Sequence, residues 1–172
     1  MLAKSTRRIY MRKMKSEEVV EIKAFREGVT YTAKSTTNAA GYDVHAWCLD
    51  SYDSQILVTS NDTKLIKTGL NVNIPKGYEV QVRSRSGLAA KNSVVVLNSP
   101  GTIDCDFSGQ GENFEVKVIL HNHSKNGFVV KHGDRVAQLV ICKLPEVEFK
   151  VVDEFAETVN EDREGGFGST GI

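Results

Sequence analysis

The chain has 172 residues, in which 22 Lys and Arg balance 22 Asp and Glu, so its formal net charge is zero. This balance excludes a protein whose whole surface binds nucleic acid or an anionic membrane, because such a surface carries a basic excess. The hydrophobic fraction of 40% and the charged fraction of 26% are typical of one globular domain. No apolar run approaches the roughly 20 residues that a membrane-spanning helix needs, so we expect no membrane partner.

The cysteine content indicates a reducing compartment. Cys48, Cys105 and Cys142 are an odd number without CxxC spacing, which favours free thiols over a disulfide framework or a zinc site. The basic start of the chain is not followed by an apolar segment, so it does not resemble a secretory signal. We therefore expect a cytoplasmic or nuclear protein that is not secreted.

The two ends of the chain differ from its middle. Residues 1–15 carry six basic side chains and no acidic one. We expect residues 1–20 to form a poorly ordered basic extension, and a contact with nucleic acid or a regulatory protein stays open there. The domain itself is predicted at 21–158. Residues 159–172 are glycine-rich and are predicted to be an arm that needs a ligand or partner for order.

Period-two alternation predicts strands in the first half of the domain. One strand is predicted to end at the turn signal 75–77, and a second follows at 78–83. The best short helix covers 85–91. The first strand carries four apolar residues on one face: Ile66, Leu70, Val72 and Ile74.

The second half shows the same alternation. Residues 114–120 alternate, Asn126-Gly127 is a hairpin signal before a strand at 128–130, and 136–142 has the composition of a buried strand. Residues 147–151 supply another alternating stretch. Many short strands with turns between them, and no long helical period, predict an all-β sandwich or jelly roll.

Two segments carry polar residues that strand patterning does not explain. Residues 84–89 place a guanidinium, a hydroxyl and a glycine amide at the start of the short helix, which is a seat for an anion as well as an ordinary helix cap. Residues 98–107 hold the carboxylates Asp104 and Asp106 near a glycine and an amide. Gln138 lies within an otherwise apolar strand and needs a hydrogen-bond partner if buried.

These segments, taken in order, resemble the trimeric dUTPase family. The resemblance covers about residue 38 to the C-terminus and rests on five motifs, which are Ala40-Gly41-Tyr42-Asp43, Arg85-Ser86-Gly87-Leu88-Ala89, Gly101-Thr102-Ile103-Asp104, Gly133-Asp134-Arg135-Val136-Ala137-Gln138 and the tail 165–171. It implies a jelly-roll homotrimer whose three active sites lie between subunits, each covered by a C-terminal arm. It also implies hydrolysis of dUTP to dUMP and pyrophosphate with Mg²⁺, which lowers dUTP and supplies dUMP for thymidylate synthesis.

The resemblance also implies roles for individual residues. Asp104 is the base that activates the attacking water. Side chains in supporting positions are Asp43, Asp106, Asp134 and Arg135. Substrate contacts are implied for Arg85, Ser86, Gly87, Asn98, Gly101, Thr102, Ile103, Phe107, Lys117, Gln138, Arg163, Phe167, Gly168, Ser169 and Thr170. No protein group is expected to bind Mg²⁺ directly; triphosphate oxygens and water hold it, with Asp43 at most an outer-sphere partner.

Specificity is expected to come from Asn98 pairing with the uracil edge, from the ring of Phe107 excluding a ribose 2′-hydroxyl, and from Phe167 stacking on the base.

Three departures from the family pattern are informative. Phe107 stands where tyrosine is usual, so the ring remains and the phenolic hydroxyl is lost. The usual arginine of the arm is replaced by Asp162, with Arg163 one residue later, which leaves its γ-phosphate contact open. Residues 108–114 carry an insertion whose role, including partner binding, is also open.

Two other functions remain as alternatives. A dCTP deaminase shares the general fold, but that family relies on a glutamate-centred site and lacks the Gly-Phe-Gly-Ser-Thr arm found here. A nucleotide-gated interaction protein would use the insertion and the basic N-terminus to bind a partner.

Overall fold

The computed structural model of the chain describes residues 19–154, whose regular secondary structure is mostly β-strand with one short α-helix, α1 (Ser86–Asn92). Short 3₁₀ turns follow at Cys105–Phe107 and Glu112–Phe114. The strands are β1 (Glu21–Ala24), β2 (Ala33–Lys34), β3 (Gly41–His45), β4 (Gln55–Val58), β5 (Thr63–Lys67), β6 (Leu70–Asn73), β7 (Tyr78–Arg83), β8 (Val94–Val96), β9 (Gly101–Ile103), β10 (Lys117–Asn122), β11 (Phe128–Lys131) and β12 (Arg135–Lys143).

The strands form small antiparallel sheets that enclose one core. A five-stranded sheet has the order β2-β3-β12-β7-β9, and a three-stranded sheet has the order β5-β10-β8. Two further pairs, β1-β6 and β11-β4, complete the layers. Sequence neighbours such as β10 and β11 lie in different sheets, as in jelly rolls, where chain crossings link the layers. The predicted all-β jelly roll is confirmed.

Alternating side chains fill the space between the sheets. Val80 and Val82 of β7 are buried, as are Val118 and Leu120 of β10, while their neighbours face outward. β12 is the centre of the five-stranded sheet, and Leu139 pairs with Val82 across it. The predicted strands at 78–83 and 136–142 and the helix near 85–91 are therefore confirmed within a residue or two.

The prediction of one continuous strand from Ile66 to Ile74 is wrong in its continuity. The segment forms β5 and β6, which belong to different sheets and are separated at Thr68 and Gly69. Gly69 has φ +69°, and its N–H donates to the buried Glu115 carboxylate at 2.9 Å. A positive φ suits glycine and ends the extended run, although all four predicted apolar side chains remain buried.

The hairpin predicted at Asn126-Gly127 is also wrong. β11 pairs with β4, not with β10, and neither Asn126 nor Gly127 has the positive φ of a type I′ turn. Instead, the carbonyl of Asn126 accepts hydrogen bonds from Asn122 Nδ2 and Ser124 Oγ at 2.7 Å. A buried asparagine therefore shapes this loop.

The alternating stretch at 147–151 forms no strand. Val147, Phe149 and Val151 are almost fully exposed, and no strand is assigned beyond β12 within the described residues. A strand needs a partner edge, and residues 19–154 of a single chain do not supply one here. No helix in this part of the chain is long and apolar enough to cross a membrane.

Candidate active site

Six of the residues predicted to bind substrate, together with the predicted base, line one cavity of about 530 Å³. This group, called the cavity cluster below, contains Asn98, Gly101, Thr102, Ile103, Asp104, Phe107 and Lys117. Asp106 lies in its wall, and apolar surface comes from Leu65, Phe114 and Ile119. The cavity therefore combines an amide, carboxylates and a lysine with aromatic and aliphatic walls, which is the composition of small-molecule sites.

Strand β9 positions the cavity cluster. It pairs with β7 through Val82–Gly101 and Val80–Ile103, which fixes where the chain leaves the sheet after Ile103. A Cβ atom on Gly101 would lie 2.9 Å from Asn98 Nδ2, so a larger residue there would displace the amide from its present position.

The two carboxylates follow directly after β9. Asp104 precedes the 3₁₀ turn that carries Phe107, and its carbonyl accepts the Phe107 N–H at 3.1 Å. Both Asp104 and Asp106 are exposed toward the cavity. No hydrogen bond to the Asp104 carboxylate occurs within residues 19–154. Its oxygens are therefore available to a ligand or a water molecule.

Two arginines and one aspartate form a second group, the guanidinium cluster. Arg85 Nε lies 2.9 Å from Asp43 Oδ1, and Arg135 Nη1 lies 3.2 Å from Asp43 Oδ2. Arg85 also donates through Nη1 to the Arg135 carbonyl at 3.1 Å. One carboxylate thus orients two guanidinium groups, and the cluster keeps a net positive charge. Such a group attracts phosphate oxygens.

The start of α1 lies beside this cluster. Arg85 is the N-cap residue, but its side chain forms no capping hydrogen bond, so the first amides of the helix have no side-chain acceptor. A Cβ atom on Gly87 would meet no atom within 4 Å. Ser86 and Gly87 are both exposed. The backbone here is accessible to a ligand.

Gln138 holds the turn before α1. Its side chain donates through Nε2 to the Ser84 carbonyl at 2.9 Å, so the amide NH₂ group has a hydrogen-bond partner inside the sheet. Gly41, in the neighbouring strand β3, lies directly beneath this amide, and a Cβ atom at residue 41 would overlap Gln138 Oε1. The glycine of the first motif is therefore explained by packing against the glutamine of the fourth.

Asp134 acts in a turn. Its carboxylate accepts the Lys131 N–H at 2.8 Å, and its own N–H donates to the Lys131 carbonyl at 3.0 Å. Gly133 has φ +82°, as a type II turn requires at its third residue. This turn delivers Arg135 to the guanidinium cluster at the beginning of β12.

Ser84 is a residue that sequence reasoning missed. Its N–H donates to Ser99 Oγ at 3.3 Å, and its Oγ accepts the Val96 N–H at 2.8 Å. Since Ser99 adjoins Asn98 and Ser84 adjoins Arg85, this residue connects the backbones of the two clusters. Its place in the polar segment 84–89, which strand patterning does not explain, was the available signal.

His45 is a second unanticipated group near the guanidinium cluster. Burial lowers the pKa of its imidazole, the negative charge of Asp43 opposes that shift, and Arg135 and Arg85 add to it. Its Nδ1 has no hydrogen-bond partner within the described residues. Burial therefore favours the neutral form of the ring.

The remaining predicted contacts lie outside the described residues. They are Arg163, Phe167, Gly168, Ser169 and Thr170. Residues 1–18 of the basic extension predicted at 1–20 also lie outside them.

Residues 19–154 contain no group of three His, Cys, Asp or Glu side chains that could hold a metal ion. Asp43 has both carboxylate oxygens paired with guanidinium groups. A divalent cation at this site would therefore have to take its ligands from a bound phosphate chain and water, which is a common arrangement for Mg²⁺.

Comparisons with known proteins agree with this geometry. The sequence profile of the dUTPase family matches residues 28–171. A deoxyuridine 5′-triphosphate nucleotidohydrolase of Wolbachia pipientis is 42% identical over 154 residues, covering 88% of this chain and 95% of the relative. One of Helicobacter hepaticus is 43% identical over 153 residues, covering 89% of each chain. Among solved structures, the dUTPase of Staphylococcus bacteriophage 80alpha with dUPNHPP superimposes with a TM-score of 0.72 at 25% identity, covering 90% of this chain and 99% of that one.

Proposed function

The chain belongs to the dUTPase family, and we propose that Asp104 activates the water with which it hydrolyses dUTP to dUMP and pyrophosphate. The observation that carries this proposal is the cavity cluster, in which Asp104 faces the same space as Asn98 and Phe107. A uracil ring bound against Asn98 and Phe107 would place the phosphates of its nucleotide close to the Asp104 carboxylate. The guanidinium cluster supplies positive charge for the phosphates.

The reaction requires one proton transfer and one bond exchange. Asp104 accepts a proton from water while the water oxygen forms a bond to the α-phosphorus. The bond between that phosphorus and the oxygen leading to the β-phosphorus breaks, and pyrophosphate leaves. Asp106 lies in the same cavity wall, and we assign it a supporting position beside Asp104.

Phosphate oxygens accumulate charge as the bond breaks, and fixed donors stabilise that charge. We assign this task to Arg85, to the first amides of α1 at Ser86 and Gly87, and to Gln138. Asp43 and Arg135 hold Arg85 in position through the contacts described above, and Asp134 forms the turn that delivers Arg135.

The substrate is taken as the Mg²⁺ complex of dUTP. Triphosphate oxygens and water would hold the cation, since the described residues offer no set of direct ligands, and Asp43 is at most an outer-sphere partner. When bound, Mg²⁺ neutralises part of the triphosphate charge. A dUTPase of phage phi11 of S. aureus is described with a structural Mg(II) ion, which supports a role for the metal in the family.

Selectivity is assigned to the walls of the cavity. Asn98 would hydrogen-bond the uracil edge, with the backbone of 101–103 beside it, and Lys117 lies across the same space. Phe107 would exclude the ribose 2′-hydroxyl by its ring. A site built around such hydrogen bonds rejects cytosine because its polar groups would remain unpaired.

A homotrimer with shared sites is proposed from exposed apolar surface. Leu65 is 56% exposed at the wall of the cavity, opposite Ile119 in the register of β5 and β10. The segment 147–151 presents alternating apolar side chains without a strand partner. A second and a third copy would cover both features, and arms from neighbouring copies would bring Arg163, Phe167, Gly168, Ser169 and Thr170 to the nucleotide.

The cellular role proposed is to lower dUTP and to supply dUMP for thymidylate synthesis in an intracellular reducing compartment. The free thiols of Cys48, Cys105 and Cys142 suit that compartment. The family match favours this activity over a dCTP deaminase. A function for the basic N-terminus or for residues 108–114 as partner-binding elements stays a prediction.

The mechanism is tested with Asp104→Asn and the matched variant Asp106→Asn. We expect Asp104→Asn to retain the folded oligomer and to lose at least about 100-fold in kcat, because a general base contributes that much. Asp106→Asn should lose less. Hydrolysis by the unaltered enzyme in ¹⁸O-labelled water should place the label in dUMP; label in pyrophosphate would contradict attack at the α-phosphorus.

A further inference from the structure

The insertion at 108–114 lies against the wall of the cavity cluster. Phe114, its last residue, lines the same cavity as Phe107. The two rings are 5.9 Å apart between centroids and meet edge to face at 63°. This is the preferred geometry of a stabilising aromatic pair. The insertion therefore contributes a side chain that contacts the residue to which we assigned sugar discrimination.

Hydrogen bonds to the buried side chain of Asn71 fix the backbone around Phe114. Asn71, which is 2% exposed, donates through Nδ2 to the carbonyls of Gly111 and Phe114 at 2.9 and 2.8 Å. Its Oδ1 accepts the Gly111 N–H at 2.8 Å. One side chain thus fixes both ends of the short 3₁₀ turn that carries Phe114.

Ion pairs with Arg26 hold the same segment, residues 112–115. The Arg26 guanidinium pairs with Glu112 within the insertion and with the buried Glu115 just after it. Arg26 itself lies over the rings of Phe25 and Trp47, at 4.8 and 4.6 Å from their centroids. These rings therefore support the guanidinium group that pairs with the insertion.

Gly109 packs directly against the Phe114 ring. A Cβ atom there would overlap the Phe114 ring, so the chain passes close beneath that ring. At the start of the insertion, Ser108 Oγ accepts the Ile74 N–H at 3.1 Å and donates to the Cys105 carbonyl at 2.7 Å. Both ends of the insertion are attached to the domain, which distinguishes it from a loose surface loop.

Phe107 needs such support because it lacks an anchor of its own. The ring is 37% exposed and, unlike a tyrosine, has no hydroxyl with which to fix its orientation. A ring that excludes a single hydroxyl group must be held still, because a small tilt would admit the larger sugar.

We propose that Phe114 is a positioning residue for sugar discrimination: it holds the Phe107 ring where it excludes a ribose 2′-hydroxyl, so the insertion helps to set the preference for dUTP over UTP. The inference rests on the proposed function, since it assumes a uridine nucleotide in the cavity. Phe114 acts through Phe107 and takes no part in the chemical step.

The test compares kcat and KM for dUTP and UTP in the full chain and in Phe114→Ala, Phe114→Leu and the control Tyr52→Ala. Tyr52 is 88% exposed and lines neither cluster. In Phe114→Ala, the ratio of kcat/KM for dUTP over UTP should fall about 10-fold, in keeping with the strength of an aromatic pair. KM for dUTP should rise while kcat stays within about twofold. The dUTP to UTP ratio of Phe114→Leu should lie between those of Phe114→Ala and the unaltered enzyme. Tyr52→Ala should have the same ratio as the unaltered enzyme.

A double-mutant cycle separates positioning from a general structural effect. In a Phe107→Leu background, Phe114→Ala should change the dUTP to UTP ratio by less than about twofold, because the ring it supports is absent. A full 10-fold change in that background would overturn the inference. If Phe114→Ala does not fold, Phe114→Leu takes its place in the cycle.

Glu112→Gln provides an independent check, because it weakens the Arg26 contact that supports the insertion and does not alter Phe114 itself. We expect a smaller loss of discrimination in the same direction, and an unchanged ratio in both Glu112→Gln and Phe114→Leu would refute the proposal. An unaltered enzyme that releases no pyrophosphate from dUTP would refute the proposed function instead. An active enzyme whose discrimination is insensitive to Phe114 would refute this inference alone.

Discussion

Arg85 and Asp43 form the shortest ionic contact between two of the five motifs, with Arg85 Nε 2.9 Å from Asp43 Oδ1. The side chains are 24% and 15% exposed, so the pair is largely shielded from water. Such shielding strengthens the interaction relative to a surface pair. Because the second Asp43 oxygen accepts from Arg135, the carboxylate sets the spacing of both guanidinium groups.

Replacing Asp43 by asparagine should therefore impair turnover without unfolding the protein. Asn keeps the shape of the side chain but removes the charge that orients Arg85, and misplacement of a phosphate contact can cost about 100-fold in kcat/KM. Steady-state kinetics on dUTP measure this loss. The control is Asp50→Asn, which removes a carboxylate paired with Lys67 at 2.5 Å outside both clusters and should leave kcat/KM unchanged. Equal losses in the two variants would contradict the assignment.

Gly87→Ala tests whether a ligand approaches the backbone at the start of α1. The added methyl group meets no protein atom, and alanine is the better helix former, so the free energy of unfolding should be unchanged or higher by up to about 1 kcal/mol. Activity should nevertheless fall, because the methyl group would occupy space assigned to a phosphate. Urea denaturation measures the free energy of unfolding, and steady-state kinetics on the same preparation measure kcat/KM for dUTP.

Gly77→Ala is the matched control for that variant. Gly77 also has open space around it, but its φ is +82°, so alanine there costs about 1–2 kcal/mol in backbone strain. It should lose stability and keep its kcat/KM. Full activity in Gly87→Ala would contradict the assignment of the first α1 amides to the phosphate site.

His45 should make stability depend on pH. Burial lowers the pKa of its imidazole in the folded protein, so below about pH 6.5 the unfolded chain binds more protons than the folded one. Stability therefore falls as the pH drops from neutral and levels off below the lowered pKa. We expect the stability advantage of the unaltered protein over His45→Phe to shrink between pH 8 and pH 5 in urea denaturation. A difference that is constant across this range would contradict the assignment.

The sequence predicted well wherever one local pattern decides the structure. Alternation located β7 because that strand buries one side of its residues, and apolar composition located β12. It failed at Gly69 and at Asn126, where a buried carboxylate and a buried amide redirect the backbone through contacts distant in sequence. It also failed at 147–151, because alternation indicates an apolar face without indicating which edge it will pair with.

The site was predicted in the same uneven way. Motif resemblance predicted Arg85 and Asp104 as site residues, since the chemistry sets their residue types, and their roles stay predictions. It did not reveal that Ser84 links the two clusters, because hydroxyl hydrogen bonds leave no periodic signal. The contact between Phe107 and Phe114 was likewise inaccessible, as it depends on the path of an insertion for which the family motif has no counterpart.

The central claim is that the chain hydrolyses dUTP at the α-phosphorus, and its most direct test is product release from a panel of nucleotides. Pyrophosphate and ammonia should be measured with dUTP, dTTP, dCTP and UTP, each with and without Mg²⁺. The account predicts rapid pyrophosphate release from dUTP with Mg²⁺, little from the other three nucleotides, and no ammonia from dCTP. No pyrophosphate from dUTP, or ammonia from dCTP, would contradict it.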